Sequence, residues 1–384
     1  MTVLEEKPGI ESTTEPAFVV HLNGDNGGLK GWVVVDSLVG GWAMGGTRLT
    51  ETVTETEVRG LARAMTDKLT LVGLPVGGAK AGIVAPEAGK EEVLKTYGRT
   101  IAPLLHGGIH LGADMGVGAR ERAIFYEAAG YDPRKRPRGV DMPYDWKTYY
   151  EPLVDATGHN VGQAAAAALE ASHRDEPARV IVQGFGAVGR AVAKFLEQRG
   201  HRIVAVVDIL GTISADELPV DDLIAITDPQ GRVDRSRLPQ SVKVTPEADA
   251  WLDVDADLII LAAQKDAINS TNVHRLKAAF VVEGGNLATS PEARLKAAAA
   301  GTLLIPDVIA NVGGAASAGL ALTGTVPFTL PGEARKDWVF DWIAQRVRKN
   351  TLDLLEIANG SSAEPLRELI AARRDQPIPR DAKF

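Results

Sequence analysis

Apolar and polar positions divide the chain into two blocks of different texture. In the first, FVVHLN and KGWVVV flank Asn-Gly pairs at 23–24 and 26–27, which predicts a β-hairpin across residues 18–35. A Gly-rich stretch, VGGWAMGGTRL, follows at 39–49. Thr54 and Glu57 have capping-box spacing, and Val58, Leu61, Met65 and Leu69 repeat at helical spacing behind them. Lys68 falls on that apolar stripe, while Arg59, Arg63 and Asp67 point elsewhere. A lysine on an inward face needs an anionic partner. LVGLPVGGAKAGIVAP (71–86) reads as a Gly-punctuated turn into a short strand, and a helix is expected near 90–104. Asp114 sits in the small-residue turn GADMG, just before another helix. Residues 131–152 read as irregular, with a basic PRKRPR run and a cluster of Trp146, Tyr149 and Tyr150.

The second block opens with an Ala-rich helix near 158–172. Five apolar runs then read as buried strands: 179–183, 202–208, 257–263, 278–285 and 302–307. Helical segments separate several of them, which predicts a parallel sheet with crossovers. Trp338, Trp342, Val347, Thr351 and Leu354 mark a helical tail. The expected fold class is α/β with two domains: a mixed α/β substrate domain at 1–156 and a Rossmann-type parallel-sheet dinucleotide domain at 157–310. The helical segment 311–384 is expected to pack back on the first domain.

Composition narrows the function classes. Hydrophobic residues are 45% and charged residues 24% of 384, so the chain is globular rather than disordered. There is no Cys, which excludes disulfides, thiolate metal sites and a Cys nucleophile. The net charge of −8 argues against nucleic-acid partners. The first residues are polar rather than signal-like, and no apolar run approaches the ~18 residues of a membrane span, so no membrane partner is expected and the expected location is the cytoplasm. The seven His residues show no metal-binding spacing, so no metal is expected, and His110 reads as a structural hydrogen bonder. A P-loop around Lys80 is ruled out, because Ala79 stands where that motif requires Lys.

Gly184, Phe185, Gly186, Ala187, Val188 and Gly189 spell GxGxxG between a predicted strand and a predicted helix. Asp208 ends the next strand, 24 residues after Gly184. Glycines let the backbone approach a pyrophosphate, the helix N-terminus supplies amide donors, and the acid accepts from a ribose hydroxyl. Ile209, Leu210 and Gly211 follow Asp208 with no adjacent base, which favours NAD over NADP. Arg190 and Arg202 are the bases with a route to a 2′-phosphate.

A cofactor in the second block leaves the substrate to the first. There Lys68, Lys80 inside GGAKAG and Asp114 inside GADMG supply two ammonium groups and a carboxylate. Such a set can bind an α-carboxylate, polarise a carbonyl and move protons. The segments GGWAMGGTRL, MTDKLTLVGLPVGGAKAGI, GADMGVGARE, DATG, VQGFGAVG, EGGN and IPDVIANVGG occur in that order over about residues 18–358. Together they resemble the glutamate/leucine/phenylalanine/valine dehydrogenase family of NAD(P)-dependent amino-acid dehydrogenases. The resemblance implies reversible oxidative deamination of an L-amino acid to its 2-oxo acid and ammonia, by a homo-oligomer. It implies that Lys68 binds the α-carboxylate, that Lys80 is a lysine of depressed pKa activating water, and that Asp114 exchanges protons with the substrate nitrogen. It further implies Asn311 and Gly45 as substrate contacts, and Thr157, Ala263, Gln264 and Asn286 beside the cofactor.

The same comparison implies an uncharged substrate side chain. Met44 stands where glutamate-specific members have a lysine, Ala318 where they have a serine, and Ala315 where a larger valine is usual. GADMGVGARE and the C-terminal helix look more like the glutamate branch, so glutamate dehydrogenase remains an alternative. Arg48, four residues after Met44, is the nearest cation in sequence, and alternation places both on one side of an extended segment. A 2-hydroxy-acid dehydrogenase would want a His base with a carboxylate partner, which is not visible. A catalytically inert cofactor-binding scaffold is the alternative of another class.

Overall fold

Helix and sheet alternate twice along the chain, around two separate cores. The computed structural model describes residues 15–24, 29–85, 89–135, 142–143, 145–173, 175–360, 362 and 364–374. The Asn26-Gly27 pair, the end of the PRKRPR run and the first fourteen residues lie outside them. One compact unit contains Val154–Gly314 and Phe340–Leu369; the other contains the described residues up to Leu153, Ala315–Val339 and those from Ile370 on.

The unit holding the N-terminal block is built on a five-stranded mixed sheet. Its strands are β1 (Phe18–Asn23), β2 (Lys30–Val35), β3 (Ala43–Thr50), β4 (Gly77–Val84) and β5 (Ile109–Gly112), in the order β1-β2-β4-β3-β5. β1, β2 and β4 run antiparallel in sequence, and β4, β3 and β5 run parallel. The helices are α1 (Glu55–Leu71), α2 (Lys90–His106), α3 (Ala119–Ala128) and α4 (Trp146–Tyr150). The Thr54 hydroxyl caps α1 by accepting from the Glu57 amide at 3.2 Å, and Val58, Leu61, Met65 and Leu69 are buried as their spacing requires.

The Gly-rich stretches at 43–50 and 77–84 turn out to be central strands. Their glycines are close-approach positions rather than loop punctuation. A Cβ on Gly45 would lie 1.7 Å from the Ala79 carbonyl oxygen, and one on Gly78 would lie 2.2 Å from the Thr66 amide nitrogen of α1.

The dinucleotide-type unit carries α5 (Ala156–Ala171), β6 (Arg179–Gln183), α6 (Ala187–Glu197), β7 (Arg202–Asp208), β8 (Gly211–Ser214) and α7 (Val220–Ala225). It continues with β9 (Lys243–Thr245), β10 (Leu258–Leu261), β11 (Phe280–Glu283), α8 (Pro291–Ala299), β12 (Leu303–Ile305) and α9 (Asp307–Ala310). The sheet order is β12-β11-β10-β6-β7-β8-β9. All five expected strands are present and parallel, with short antiparallel strands β8 and β9 at one edge. Strands of four and three residues are too short to register as periodicity. The chain reverses its direction of travel across the sheet at β6, which makes the carboxyl end of β6 the switch point of a doubly wound fold.

The remaining helices are α10 (Gly313–Thr323), α11 (Gly332–Asn359) and α12 (Pro365–Arg374). Ala315–Val339 and the described residues from Ile370 on group with the N-terminal block, and Phe340–Leu369 with the dinucleotide-type unit. The tail is shared, and the division between units falls inside α11. At 1.5 Å per residue a helix of that length runs about 40 Å, beyond the diameter of a small domain.

One contact of this tail has a measurable consequence. Arg374 Nη2 of α12 donates to Asp67 Oδ1 of α1 at 3.2 Å. Burial pushes the Asp67 pKa up to about 6, outweighing Arg374 and Arg63, which pull it down. The folded chain therefore binds a proton more tightly than the unfolded chain, and stability falls as pH rises from about 4 to 6. Two pKa units correspond to about 3 kcal/mol. Asp67→Asn is expected to stabilise the protein by up to that amount at pH 7 and to be nearly neutral at pH 4, as read from urea unfolding at the two pH values.

Candidate functional site

β3, β4 and α1 bring the sequence-selected residues of the first block together. Lys80 lies in the middle of β4, between β2 and β3, with its side chain buried. Asp114 follows β5 in a tight turn: its amide donates to Val117 O at 3.1 Å, its carbonyl accepts from Val117 N, and Leu49 N of β3 donates to Met115 O. That turn aims the carboxylate at Lys80, whose Nζ is 3.1 Å from Asp114 Oδ2. Burial lowers the Lys80 pKa, and the charges of Arg48 and Lys68 push it the same way against the pull of Asp114. Lys68 is itself buried on α1.

Sequence reasoning left Arg48 as a stray cation, and the structure gives it a specific position. Its Nε donates to Asp114 Oδ2 at 2.9 Å and its Nη1 to Glu57 Oε1 at 2.6 Å. The Asp114 oxygen thus accepts from Arg48 and Lys80 together. Burial raises the Asp114 pKa, but Lys80 and Arg48 outweigh it and hold the carboxyl below its ordinary value. The presence of both Glu57 in the first turn of α1 and Arg48 on the strand facing it was the available signal.

Met44 shares the α1-facing side of β3 with Arg48, but it is wholly buried and meets an apolar neighbourhood. A Cβ on Gly319 of α10 would lie 2.6 Å from Leu74 Cδ1, 3.4 Å from Met44 Sδ and 3.6 Å from Leu69 Cδ2. Ala315 and Ala318 share one face of α10 at i, i+3 spacing and are partly buried. α10 is tied down by Tyr149, whose hydroxyl donates to Ser317 O at 2.8 Å.

Residues 146–153, expected to be irregular, form α4 and a following helical turn that carry an aromatic cluster. His110 stacks on Trp146, which stacks on Tyr150, and its two ring nitrogens meet the hydroxyls of Tyr131 and Tyr126 at 3.2 and 3.4 Å. Burial pushes the His110 pKa down to about 3, so the ring is a neutral structural member. Trp146, Tyr149 and Tyr150 stand at i, i+3 and i+4, but five residues offer too little length for a helical period to be read.

In the other unit the GxGxxG turn joins β6 to α6 as expected. A Cβ on Gly189 would lie 1.9 Å from Gly184 O, so the third glycine permits close packing of helix on strand, while a Cβ on Gly186 would meet nothing within 4 Å. That open space lies at the N-terminus of α6, where amide donors suit a pyrophosphate. Ala263 and Gly285 lie beside it: Gly184 abuts Ala263, and Gly285 approaches the Ala263 backbone. Thr157 stands against Gly313 and Gly314 at the start of α5. Gln264 and Asn286 lie in the loops that leave β10 and β11.

Asn311 ends α9, and its Nδ2 donates to Gly284 O. The fully buried Glu283 organises the same loop by accepting from the amides of Thr289 and Asp307 and from Arg294.

Asp208 has no base next to it in sequence, as read above, but its carboxylate has a partner from farther along the chain. Arg235, 27 residues later in sequence, pairs with both of its carboxylate oxygens, with Nη2 2.6 Å from Oδ1. The amides of Leu210 and Val233 each donate to one of the oxygens at 2.8 Å. Arg235 was missed because only the loop from 226 to 235 brings it back. Of the two bases weighed earlier, Arg190 donates to Asp228 O of that loop, while Arg202 begins the strand that Asp208 ends, about 20 Å away.

Comparison with known proteins decides the family. The glutamate/leucine/phenylalanine/valine dehydrogenase family profile matches residues 153–358, and the Glu/Leu/Phe/Val dehydrogenase dimerisation domain matches residues 15–130. The chain belongs to the glutamate/leucine/phenylalanine/valine dehydrogenase family. It is therefore an amino-acid dehydrogenase, an oxidoreductase acting on CH–NH2 donors. Among relatives, the NADP-specific glutamate dehydrogenase of Saccharolobus shibatae is 32% identical over 79% of this chain and 75% of its own. The NAD-specific glutamate dehydrogenase of Staphylococcus aureus is 30% identical over 70% of this chain and 66% of its own.

Among solved structures, the hetero-hexameric glutamate dehydrogenase of Thermus thermophilus in its leucine-bound form superposes with TM-score 0.72 at 26% identity, covering 95% of this chain and 91% of that one. The L-tryptophan dehydrogenase of Nostoc punctiforme shares the fold at TM-score 0.67 and 21% identity, covering 96% and 97%. Members similar to this chain thus include both NAD-specific and NADP-specific enzymes. Among the described residues no helix is long and apolar enough to cross a membrane.

Proposed function

We propose that this chain is an NAD-dependent dehydrogenase of L-amino acids with apolar side chains, releasing the 2-oxo acid and ammonia reversibly, as a cytoplasmic homo-oligomer. The observation that carries the reading is the buried contact of Lys80 with Asp114 beside Lys68. In this assignment Lys68 binds the substrate α-carboxylate. Asp114, held anionic by Lys80 and Arg48, takes a proton from the substrate nitrogen. Lys80, with its pKa lowered, is neutral at a pH where an ordinary lysine is charged, and accepts a proton from the water that attacks the substrate carbon. NAD, when bound, supplies the hydride acceptor. Gly184 to Gly189 would hold its pyrophosphate, where the open space at Gly186 fits the group. The choice of NAD is supported by the engagement of Arg235, whose guanidinium is taken up by both carboxylate oxygens of Asp208. The dimerisation-domain match and the hexameric Thermus relative support the oligomer.

The test is an absorbance assay at 340 nm with the twenty amino acids and NAD, and in reverse with 2-oxo acids, ammonia and NADH. Turnover of an apolar amino acid supports the reading, and no turnover of any amino acid sinks it. Arg48 is a positioning residue in this scheme. Its charge lowers the Lys80 pKa, so Arg48→Met is expected to move the acidic limb of the kcat/KM profile to higher pH and to lower kcat by about ten- to a hundredfold. An unshifted limb would mean that Arg48 contributes packing alone.

A further inference from the structure

We infer that Arg235 is a latent ligand for a 2′-phosphate, and that Asp208 decides cofactor choice by holding it away rather than by repelling the phosphate. The inference deepens the cofactor part of the proposed function and rests on the chain binding a nicotinamide dinucleotide.

The geometry points this way for three reasons. First, the Asp208 carboxylate is saturated. Oδ1 accepts from Leu210 N and Arg235 Nη2, and Oδ2 from Val233 N and Arg235 Nη1, while the side chain is 3% exposed. A carboxylate paired in this bidentate way presents almost no net charge to a ligand, so bare repulsion is a weak account of selectivity.

Second, Arg235 is a cation with a grip to spare. Its Nη1 also donates to Val233 O at 2.9 Å and its Nη2 to Gly211 O at 3.3 Å, but its buried Nε has no hydrogen-bond partner among the described residues. A buried donor without an acceptor costs about 1–3 kcal/mol, and a phosphate oxygen would satisfy it. The side chain is 21% exposed, so a turn of the guanidinium does not require a core to open.

Third, the loop that carries Arg235 abuts the phosphate-binding turn. A Cβ on Gly231 would lie 2.9 Å from the Gly186 amide nitrogen, and Arg190 of α6 donates to Asp228 O of the same loop. The Asp208–Arg235 pair therefore stands at the acid position of the fingerprint while its loop touches the glycine position.

The two accounts of selectivity separate experimentally. Under repulsion, removing the Asp208 charge relaxes discrimination to parity, and Arg235 then matters little. Under restraint, removing that charge frees Arg235, so discrimination inverts and the inversion depends on Arg235. The probes are 2′,5′-ADP and 5′-ADP, which carry or lack the 2′-phosphate and need neither nicotinamide nor amino acid. Their binding to the intact oligomer is measured by titration calorimetry. Asp208→Asn is expected to strengthen 2′,5′-ADP at least about tenfold relative to 5′-ADP, the scale of one charge-assisted contact. Arg235→Ala added to that variant is expected to abolish the gain.

Arg235→Gln in the otherwise unaltered chain provides the arm that does not disturb Asp208. It is expected to keep 5′-ADP within about threefold, which separates a role of Arg235 toward the 2′-phosphate from a role in holding the site folded. The inference is overturned if Asp208→Asn brings no gain, if the gain survives loss of Arg235, or if Arg235→Gln weakens 5′-ADP by more than that. If the protein turns over no amino acid yet shows these binding shifts, the amino-acid reading has failed and this one stands. If neither probe binds to any variant, the cofactor site itself has been misassigned and this inference fails with it.

Discussion

Lys80→Ala and Asp114→Asn are each expected to lower kcat by about 10²- to 10⁴-fold, the usual contribution of a general acid–base group, while leaving NAD affinity within about threefold. Both residues belong to the unit that lacks the GxGxxG turn, so calorimetric NAD binding separates lost chemistry from lost folding. The double variant is expected to be little worse than either single one, because the two groups contact each other and act as a unit. Asp114→Asn also leaves a pH signature. The Asp114 charge raises the Lys80 pKa, so its removal moves the acidic limb of residual activity to lower pH, opposite to Arg48→Met. Retention of more than about a tenth of wild-type kcat by either single variant would remove that residue from the assigned role.

The second large effect concerns the substrate side chain. Leucine, methionine or phenylalanine is expected to exceed glutamate in kcat/KM by at least about tenfold, because a buried carboxylate without a cationic partner costs several kcal/mol. The cation that sequence proximity offered is engaged elsewhere, since Arg48 donates to Asp114 and Glu57. Met44 lies instead among Leu69, Leu74 and Gly319. Met44→Lys combined with Ala318→Ser is expected to raise glutamate and depress leucine, narrowing or reversing the ratio. The relatives at 30–32% identity are glutamate dehydrogenases, so the opposite outcome has a clear meaning. Should unmodified protein prefer glutamate by tenfold or more, it is a glutamate dehydrogenase whose side-chain cation comes from outside this neighbourhood.

What could be read from the chain alone was whatever has a period or a fixed spacing. The α1 stripe placed Lys68 inward, and GxGxxG between an apolar run and a helix located the turn after β6. Contacts closed by loops were not legible. Nothing near Asp208 in sequence announces Arg235, because the partner returns only through the loop after α7. Glycine was also ambiguous. In 43–50 and 77–84 it reads as turn, yet there it marks strands and a helix in backbone contact. The tail illustrates a further limit. Helical spacing predicted α11 well but could not say that its two ends belong to different units.

The glycines of β3 and β4 constrain how this protein can diverge. A side chain at 45 would collide with the Ala79 carbonyl, and one at 78 with the backbone of α1. Drift at these positions is closed, because a side chain at 45 would push β3 from β4 within the sheet and one at 78 would push β4, with Lys80, from α1, with Lys68. Ala315 and Ala318 of α10 differ from these glycines: they already carry a Cβ, are only partly buried and sit on a helix that bears a hydroxyl at Ser317. If α10 lines the substrate side chain as proposed, adaptation to a new amino acid is expected at Ala315 and Ala318 rather than in β3 or β4.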